Sequence, residues 1–575
     1  MLILGLAGSL IGHDPSVTLL HDGTVLGAIE EERLSREKHR PGIFPRRALH
    51  HLLDYHGFTE ADIDEVAYYW DQRPYLLPMT GSTLRYAGQG RLKPALKAMK
   101  NKFFGGLTYL NAPKMFLDVN LRHRPIPPIH PVDHHLAHAA SVHLPSPYET
   151  SACAVLDGSG GYPSTTTYNA RGARFQKLTQ IYYPHSLGHA YAALTEYLGF
   201  HCMADEWKVM GLAPYGSPNP KLKSLFDQLI VLLPDGQYRI DPTLARWAVT
   251  YAEFPILTDE ACQQLGAPPR EYGHPPGDRE ADIAFNFQRR IEEAIFHVLN
   301  HLQKQTREKN LTLAGGVALN CAANGKILEQ TDFENLWLQP ASHDAGASMG
   351  AALYRWQHHH NHGADRWRMS HPYLGPEFST DHTRAELDRA QLPYTEIDDP
   401  AATAAQLIAD GQITGWFQGR MEWGPRALGN RSILADPRHA KTKDQVNAAI
   451  KLRESFRPFA PAILAEQIET VAEPHSPSPF MTHTAVIRPQ YRDKLAAVTH
   501  VDGTARIQSV TPDANPLFHA LITHFHQLTG VPAVLNTSFN VKDEPIVCTP
   551  QQALRCYAAT GLNALIIDRF LLKKA

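Results

Sequence analysis

Two histidines four residues apart, His134 and His138 in Asp133-His-His-Leu-Ala-His-Ala139, carry the sharpest chemical signal in the sequence. On a helix that spacing puts both imidazoles on one face, where they can share one cation. Asp157 ends the apolar run Ser151–Leu156 in the glycine loop Asp157-Gly-Ser-Gly-Gly161, and Asp344 sits in Ser342-His-Asp-Ala-Gly-Ala347. Strand-end aspartates beside glycine are where α/β clefts collect ligands. Asp344 can also cap the small-residue helix that follows it. Two imidazoles with one or two carboxylates suit a borderline divalent metal, Fe²⁺, Mn²⁺ or Zn²⁺. Gly315-Gly316 in Leu313-Ala-Gly-Gly-Val-Ala-Leu-Asn320 reads as a strand entering a helix, so backbone N–H groups can approach a nucleotide and Asn320 can bond a ribose or base. His13, in Gly12-His-Asp-Pro-Ser16, is a candidate general base for a hydroxyl nucleophile.

A different collection follows downstream. Arg420, Arg426, Arg431 and Arg438, then Lys451-Leu-Arg453 and Arg457, lie in a stretch rich in Gly, Trp and Pro and poor in acids. Clustered guanidinium groups grip polyanions bidentately, which predicts a pocket for small phosphorylated ligands. Ser538 and Asn540 follow an apolar strand two residues apart, so both point to one side.

The elements that must position these groups are legible as two similar modules. Strands at Leu2–Ala7 and Ser16–His21, a turn at Asp22-Gly23 and a strand at Thr24–Glu30 form the first. Ser151–Leu156, a glycine loop, Ser164–Tyr168, a turn at Ala170-Arg-Gly172 and a run to Ile181-Tyr182 form the second. This predicts a duplicated α/β domain whose halves face a cleft. Helical periodicity marks Pro45–His56, Leu136–His143, His189–Leu198, Ala281–Lys304, Ala318–Glu329 and Ala345–His358. The cationic segment Arg91–Lys102 reads as a solvated helix face. The polar run Gln357–Arg366 reads as a linker, not a metal site. Domains are therefore expected at 1–356 and 373–575, joined by 357–372, with alternating strands and helices in the second.

Composition narrows the classes. With 55 Lys+Arg against 58 Asp+Glu over 575 residues, the formal charge is −3, so no global field recruits nucleic acid or an anionic membrane. Mean hydropathy is −0.31 and no uncharged apolar run is long enough to span a bilayer. The six cysteines are scattered without a CxxC pair, as expected of reduced thiols in the cytoplasm. Met1–Gly12 lacks the basic region and cleavage site of a signal peptide and reads as a first strand.

The chain resembles the O-carbamoyltransferases of the NodU/CmcH type along nearly its whole length. The resemblance rests on Gly12-His-Asp-Pro-Ser16, Glu31-Glu-Arg-Leu-Ser-Arg-Glu-Lys-His39, His134-His-Leu-Ala-His138, Val155-Leu-Asp-Gly158, Lys208-Val-Met-Gly-Leu-Ala-Pro-Tyr-Gly216, Gly315-Gly-Val-Ala-Leu-Asn320, Trp423-Gly-Pro-Arg-Ala-Leu-Gly-Asn-Arg431, Phe456-Arg-Pro-Phe-Ala-Pro461 and Asn536-Thr-Ser-Phe-Asn540. It implies an α/β protein with a duplicated actin-like ATPase domain, similar to the threonylcarbamoyl transferase of tRNA modification, followed by a YrdC-like α/β domain. Lys451-x-Arg453 and Ser538-x-Asn540 match the YrdC pattern, and with Arg506 they are the implied carbamoyl phosphate residues.

By the same resemblance, carbamoyl phosphate and Mg²⁺-ATP become carbamoyl-adenylate, which then acylates a hydroxylated natural product such as an antibiotic precursor. His134, His138, Asp157 and Asp344 would hold the metal, iron in the family, and His13 would deprotonate the acceptor. Lys38, Gly158, Lys208, Gly315, Gly316, Asn320, Arg420 and Arg426 are the implied cofactor-binding residues. Asp205-Glu-Trp207 departs from the glycine-rich lead-in expected before Lys208, and 69–124 holds no recognisable motif. Two other readings compete. The near-neutral charge and the Ser35–His39 motif disfavour a fused tRNA-modifying enzyme. An actin-like scaffold or chaperone has no use for the histidine–aspartate set or the arginine-rich tail.

Overall fold

The computed structural model describes the chain except for residues 10–11, 40–41, 72, 76–111, 120–124, 248–255, 362–364, 452–453, 455, 474–475 and 575. The cationic segment 91–102 and Arg453 lie outside the described residues. The described chain forms two compact units, one of Met1–Leu26, Pro41–Leu49 and Gly57–Arg368, the other of Gly27–Arg40, His50–His56 and Met369–Ala575. Among the described residues no helix is long and apolar enough to cross a membrane.

One five-strand sheet pattern occurs twice. Strands β1 (Leu2–Ala7), β2 (Ser16–His21), β3 (Thr24–Glu30), β4 (Ile63–Tyr68) and β5 (Ile129–Pro131) take the order β3-β2-β1-β4-β5. Asp22 and Gly23 lie in the left-handed region (φ +47° and +83°), as a two-residue hairpin turn requires. Strands β6 (Thr150–Leu156), β7 (Pro163–Arg171), β8 (Arg174–Tyr182), β9 (Asn310–Ala314) and β10 (Asn335–Trp337) repeat it as β10-β9-β6-β7-β8. In each sheet the first strand pairs antiparallel with the next in sequence and parallel with the fourth. The duplicated α/β arrangement expected from the sequence is thus present, one strand order used twice.

Helices His134–His143 and Gly346–His359 cross at their backbones. A Cβ on Gly350 would lie 1.8 Å from the carbonyl oxygen of Ala137, and one on Gly5 of β1 would lie 2.2 Å from that of Ser348. Only hydrogen fits at either point, so both contacts are set by backbone atoms rather than by adjustable side chains. Ser348 Oγ also meets Ser16 Oγ and Thr18 Oγ1 at 2.9 and 3.0 Å, tying the same helix to β2 without any charge. The stretch read as a linker is partly built into this unit. Its helix continues to His359, and Arg366 donates to the carbonyls of His143 and Tyr148 at 3.1 and 2.6 Å.

The segment Ala318–Glu329, expected as one helix, is broken into short turns at Gly316–Leu319, Cys321–Asn324 and Ile327–Gln330. Asn320 explains one break, because its side chain accepts the Ala323 N–H and restarts the helix there.

The second unit centres on an eight-stranded mixed sheet. Its strands are β11 (Thr395–Glu396), β12 (Thr414–Phe417), β13 (Arg431–Ala435), β14 (Ala460–Leu464), β15 (Gln508–Val510), β16 (Ala533–Ser538), β17 (Ala564–Ile567) and β18 (Phe570–Lys573). They run in the order β11-β18-β17-β12-β13-β16-β14-β15. Helices Pro400–Ala409 and Pro516–Thr529 bring Ala404, Leu407, Phe518 and Phe525 into a core shared with Trp416 and Ile433. β13 and β16 pair antiparallel through Ser432 and Ser538, so the arginine-rich loop before β13 and the turn after β16 emerge at neighbouring strand ends.

Glu65 of β4 locks the Gly346–His359 helix in place. It takes a bidentate ion pair from Arg355 at 2.7 and 3.0 Å and a third contact from His360 at 3.2 Å. The Arg355 hydrogen bond is the main force holding its carboxyl down at about 2, against the opposing effect of burial. A depressed native pKa stabilises above the unfolded-state value and ceases to do so as pH falls through the native one. Glu65→Gln is therefore expected to lower the thermal midpoint at pH 7, with the gap to wild type closing between about pH 4.5 and pH 2. Melting curves across that range check it.

Candidate active sites

Asp133 begins the first site. Its Oδ1 caps the His134–His143 helix by accepting the Leu136 N–H at 2.9 Å, and its Oδ2 accepts from Tyr75 Oη at 2.5 Å. The helix start is thus held from two sides, and the His134 and His138 rings meet with Nε2 atoms 3.2 Å apart. Asp157, one residue past β6, reaches His134 Nε2 at 3.3 Å with Oδ2 while its Oδ1 accepts the Gly316 N–H at 3.0 Å. Gly315, at φ +92°, makes that reach possible, since a Cβ there would lie 2.2 Å from the Leu156 carbonyl. Asp344 does not cap its helix. Its carboxylate faces the histidines instead, 3.4 Å from His138 Nε2 and 3.7 Å from His134 Nε2.

Ligand atoms of these four residues all lie within 4.8 Å of one another. The His138 side chain is fully buried and that of Asp344 19% exposed, so the cluster opens on the Asp344 side. Burial would push the His134 imidazolium down, but Asp344 and Asp157 outweigh it and hold the pKa above the ordinary value. Asp157 is held ionised in turn: burial opposes this, and the His134 hydrogen bond with the charges of His138 and His134 prevails. The donor set fits a divalent cation. Both rings turn Nε2 inward toward Asp157 and Asp344, and among the described residues their buried Nδ1 atoms have no hydrogen-bond partner, so the polar atoms that converge are the two Nε2 and the carboxylate oxygens a divalent ion takes. Gly160 packs flat against the adjacent rings of His134 and His135, since a Cβ there would stand 2.4 Å from the first and 2.3 Å from the second.

His13 lies half-buried in the loop before β2. Its neighbour Asp14, in left-handed backbone at φ +50°, stands 3.8 Å from His343, the residue before Asp344. The first loop and the Asp344 loop therefore meet. Gly158 places its carbonyl under Ser186 Oγ (2.7 Å) and His189 Nδ1 (3.0 Å), at the start of the helix Leu187–Tyr197. Two implied ligand residues are engaged internally. Asn320 exchanges hydrogen bonds with Gln288 at 3.0 and 3.2 Å, and Lys208 is buried against Asp205 at 2.9 Å. The unexpected acid before Lys208 is thus its ion-pair partner.

In the second unit, Lys451 is buried and its Nζ donates to the Ser538 carbonyl (2.5 Å), Asn540 Oδ1 (2.6 Å) and the Asn540 carbonyl (3.0 Å), with Ser538 Oγ at 3.5 Å. Ser538 Oγ donates to Asn540 Oδ1 at 2.9 Å, so the lysine, hydroxyl and amide form one cluster. The arginines divide by task. Arg431 is fully buried, donates to the main-chain carbonyls of Gln418, Gly419, Asn430 and Pro376, and stacks 3.7 Å over Phe417. Arg420 donates to the carbonyls of Gly375 and Leu374, and Arg438 pairs with Asp436. These three build walls. Arg426 and Arg506 are half-buried, and the Lys38 side chain is exposed.

Tyr75, Gln288 and Gly160 carry no motif signal, because each acts through a partner more than twenty residues away in sequence. Glu422 was findable as the one acid between Gly419 and Arg431. It is buried, and its Oε1 accepts the N–H groups of Leu428, Asn430 and Arg431 at 2.7–2.9 Å, shaping the whole loop.

Two family models match the chain in succession. The family model described as carbamoyltransferase N-terminus matches residues 2–353, and that described as carbamoyltransferase C-terminus matches residues 405–574. The chain is 38% identical over 601 residues to nodulation protein NolNO of Sinorhizobium fredii, covering 100% of this chain and 83% of that one. It is 36% identical over 603 residues to an uncharacterized protein of Synechocystis, covering 100% and 96%. Among solved structures, HypF of T. kodakarensis aligns with a TM-score of 0.33 and 14% identity over 61% of this chain and 47% of that one. The chain belongs to the carbamoyltransferase family, and it is an enzyme of that class.

His138→Ala and Asp157→Asn are each expected to lower divalent metal bound by the purified protein at least tenfold, while Asp381→Asn, at an exposed helix position, is not. Elemental analysis after dialysis against Fe²⁺ or Zn²⁺ checks this, and full stoichiometry in either ligand variant removes that residue from the set.

Proposed function

We propose that this carbamoyltransferase is ATP-dependent and runs two half-reactions, one in each unit. In the second unit, water cleaves carbamoyl phosphate to carbamate and phosphate. A carbamate oxygen then attacks the α-phosphorus of Mg²⁺-ATP, pyrophosphate leaves, and carbamoyl-adenylate forms. In the first unit, an acceptor hydroxyl attacks the carbamoyl carbon, the bond to the adenylate oxygen breaks, AMP leaves, and the hydroxyl proton passes to His13.

The single observation that carries this reading is the presence, in a member of this family, of two chemically distinct buried clusters in separate units: Lys451–Ser538–Asn540, and His134–His138–Asp157–Asp344. The Lys451 ammonium lies beside the Ser538 hydroxyl, and either would serve a phosphate or carbamate oxygen by exchanging an internal acceptor for the anion. Arg506 and Arg426 add guanidinium forks to that anion, and Arg453 extends the same motif. Such a walled site limits water access to a mixed anhydride that hydrolyses readily.

In the first unit, His13 stands on a loop meeting the Asp344 loop, as a base acting on an acceptor hydroxyl would need to. Gly315, Gly316 and Gly158 offer close backbone approach to a nucleotide. A divalent metal held by His134, His138, Asp157 and Asp344, iron by family analogy, would supply positive charge against the departing phosphate. The acceptor is proposed to be a hydroxylated small natural product, and the site of action the cytoplasm.

Incubation with carbamoyl phosphate, Mg²⁺-ATP and Fe²⁺ tests the reading. Pyrophosphate release dependent on carbamoyl phosphate is expected, and Ser538→Ala or Arg506→Ala should abolish it. His13→Ala should leave that release intact and slow carbamoyl ester formation on an acceptor panel of small alcohols by about 10²–10⁴-fold. Absence of carbamoyl phosphate-dependent pyrophosphate release in the wild type overturns the reading.

A further inference from the structure

The segment Gly27–Arg40 falls inside the N-terminal family match, yet it clusters with the second unit. Its polar side chains act there in a specific way. Glu30 Oε1 accepts the Gly424 N–H at 3.0 Å, and Arg33 Nη2 donates to the Gly424 carbonyl at 2.8 Å. Both polar groups of one residue are thus held, on a glycine whose φ of +94° no other residue adopts comfortably. Arg426 lies two residues on. Burial would push the Arg33 guanidinium down, but Glu30 and Glu32 outweigh it and keep it charged.

Arg36 does the same for the other loop. Its Nη1 donates to the Ile546 carbonyl and its Nη2 to the Pro545 carbonyl, both at 2.7 Å, and Nη2 pairs with Glu544 at 3.3 Å. The Glu544 carbonyl in turn accepts from Asn540 Nδ2 at 2.7 Å. With its nitrogen fixed there, the Asn540 amide can turn only its oxygen toward Lys451 Nζ and Ser538 Oγ.

We propose that Glu30, Arg33 and Arg36 are positioning residues of the second unit's site: a strap from the start of the chain that sets the Arg426 loop through Gly424 and the Asn540 amide through residues 544–546. This rests on the half-reaction assigned above to that unit. Arg36 touches no reacting atom. Its planar fork grips two successive carbonyls, and a lysine ammonium at the same place has no second arm to do so.

The test uses the full-length protein and reads carbamoyl phosphate-dependent pyrophosphate release. Arg36→Ala is expected to lower kcat/KM about ten- to a hundredfold, the usual effect of misplacing a site by a fraction of an ångström to an ångström. Metal bound at the first unit's cluster should be unchanged. Millimolar guanidinium, far below denaturing concentrations, should restore part of the loss, which a general destabilisation would not allow. Arg36→Lys, which keeps the charge and loses the fork, should show a similar deficit, and it carries the test should the alanine variant not fold. Wild-type release in Arg36→Lys, or a deficit in Arg36→Ala that guanidinium leaves untouched, overturns the proposal. If the wild type itself releases no pyrophosphate, the half-reaction is at fault rather than the strap.

Discussion

Two imidazole nitrogens held 3.2 Å apart in a buried place cannot both be protonated, or both be bare acceptors, without cost, so they must share either a proton or a cation between them. The first unit is organised around that electrostatic demand. One sheet repeat delivers Asp157 at the end of β6, the parallel neighbour β9 delivers the glycine pair whose N–H steadies it, and Asp344 arrives from the loop before the Gly346–His359 helix. The backbone crossing at Gly350 fixes how near that helix comes to the one bearing the histidines. Side chains alone would leave such a cluster free to relax apart. Contacts between main-chain atoms do not.

The second unit solves the complementary problem. Its buried ammonium at Lys451 donates to the Ser538 and Asn540 oxygens, and its buried guanidinium at Arg431 donates to four carbonyls. Backbone and amide dipoles thus satisfy the donors of both side chains. Glu422 contributes differently, turning the N–H groups of Leu428, Asn430 and Arg431 toward one oxygen. An arginine-rich sequence therefore does not mean that every arginine meets ligand: Arg420 and Arg431 hold the wall on which others are mounted.

Much of this was legible in the residues. Strand limits in the first module coincide with the expected ones because alternation, an Asp-Gly turn and short loops leave little freedom of register. The convergence of His134, His138, Asp157 and Asp344 was readable because a helical i, i+4 pair and strand-end acids are local signals on a duplicated sheet. What could not be read is pairing over long separations. Nothing adjacent to Asn320 announces Gln288 as its partner, and nothing near Lys208 distinguishes a ligand-facing ammonium from one matched to Asp205. The assumption of a contiguous second domain failed to anticipate residues 27–40 and 50–56 for a related reason: composition reports local character, not the address at which a segment docks.

That discontinuity has a consequence for how the protein is made. Arg33 and the Gly424 carbonyl it binds are 391 positions apart. At about 5–20 residues per second of ribosomal synthesis, one waits roughly 20–80 s for the other to emerge. Throughout that interval Glu30, Glu32 and Arg33, all destined for the interior, must stay hydrated at a nascent surface. The second unit is thus barred from folding as its own polypeptide stretch appears. Its completion is a late event that draws back in residues made 391 positions earlier.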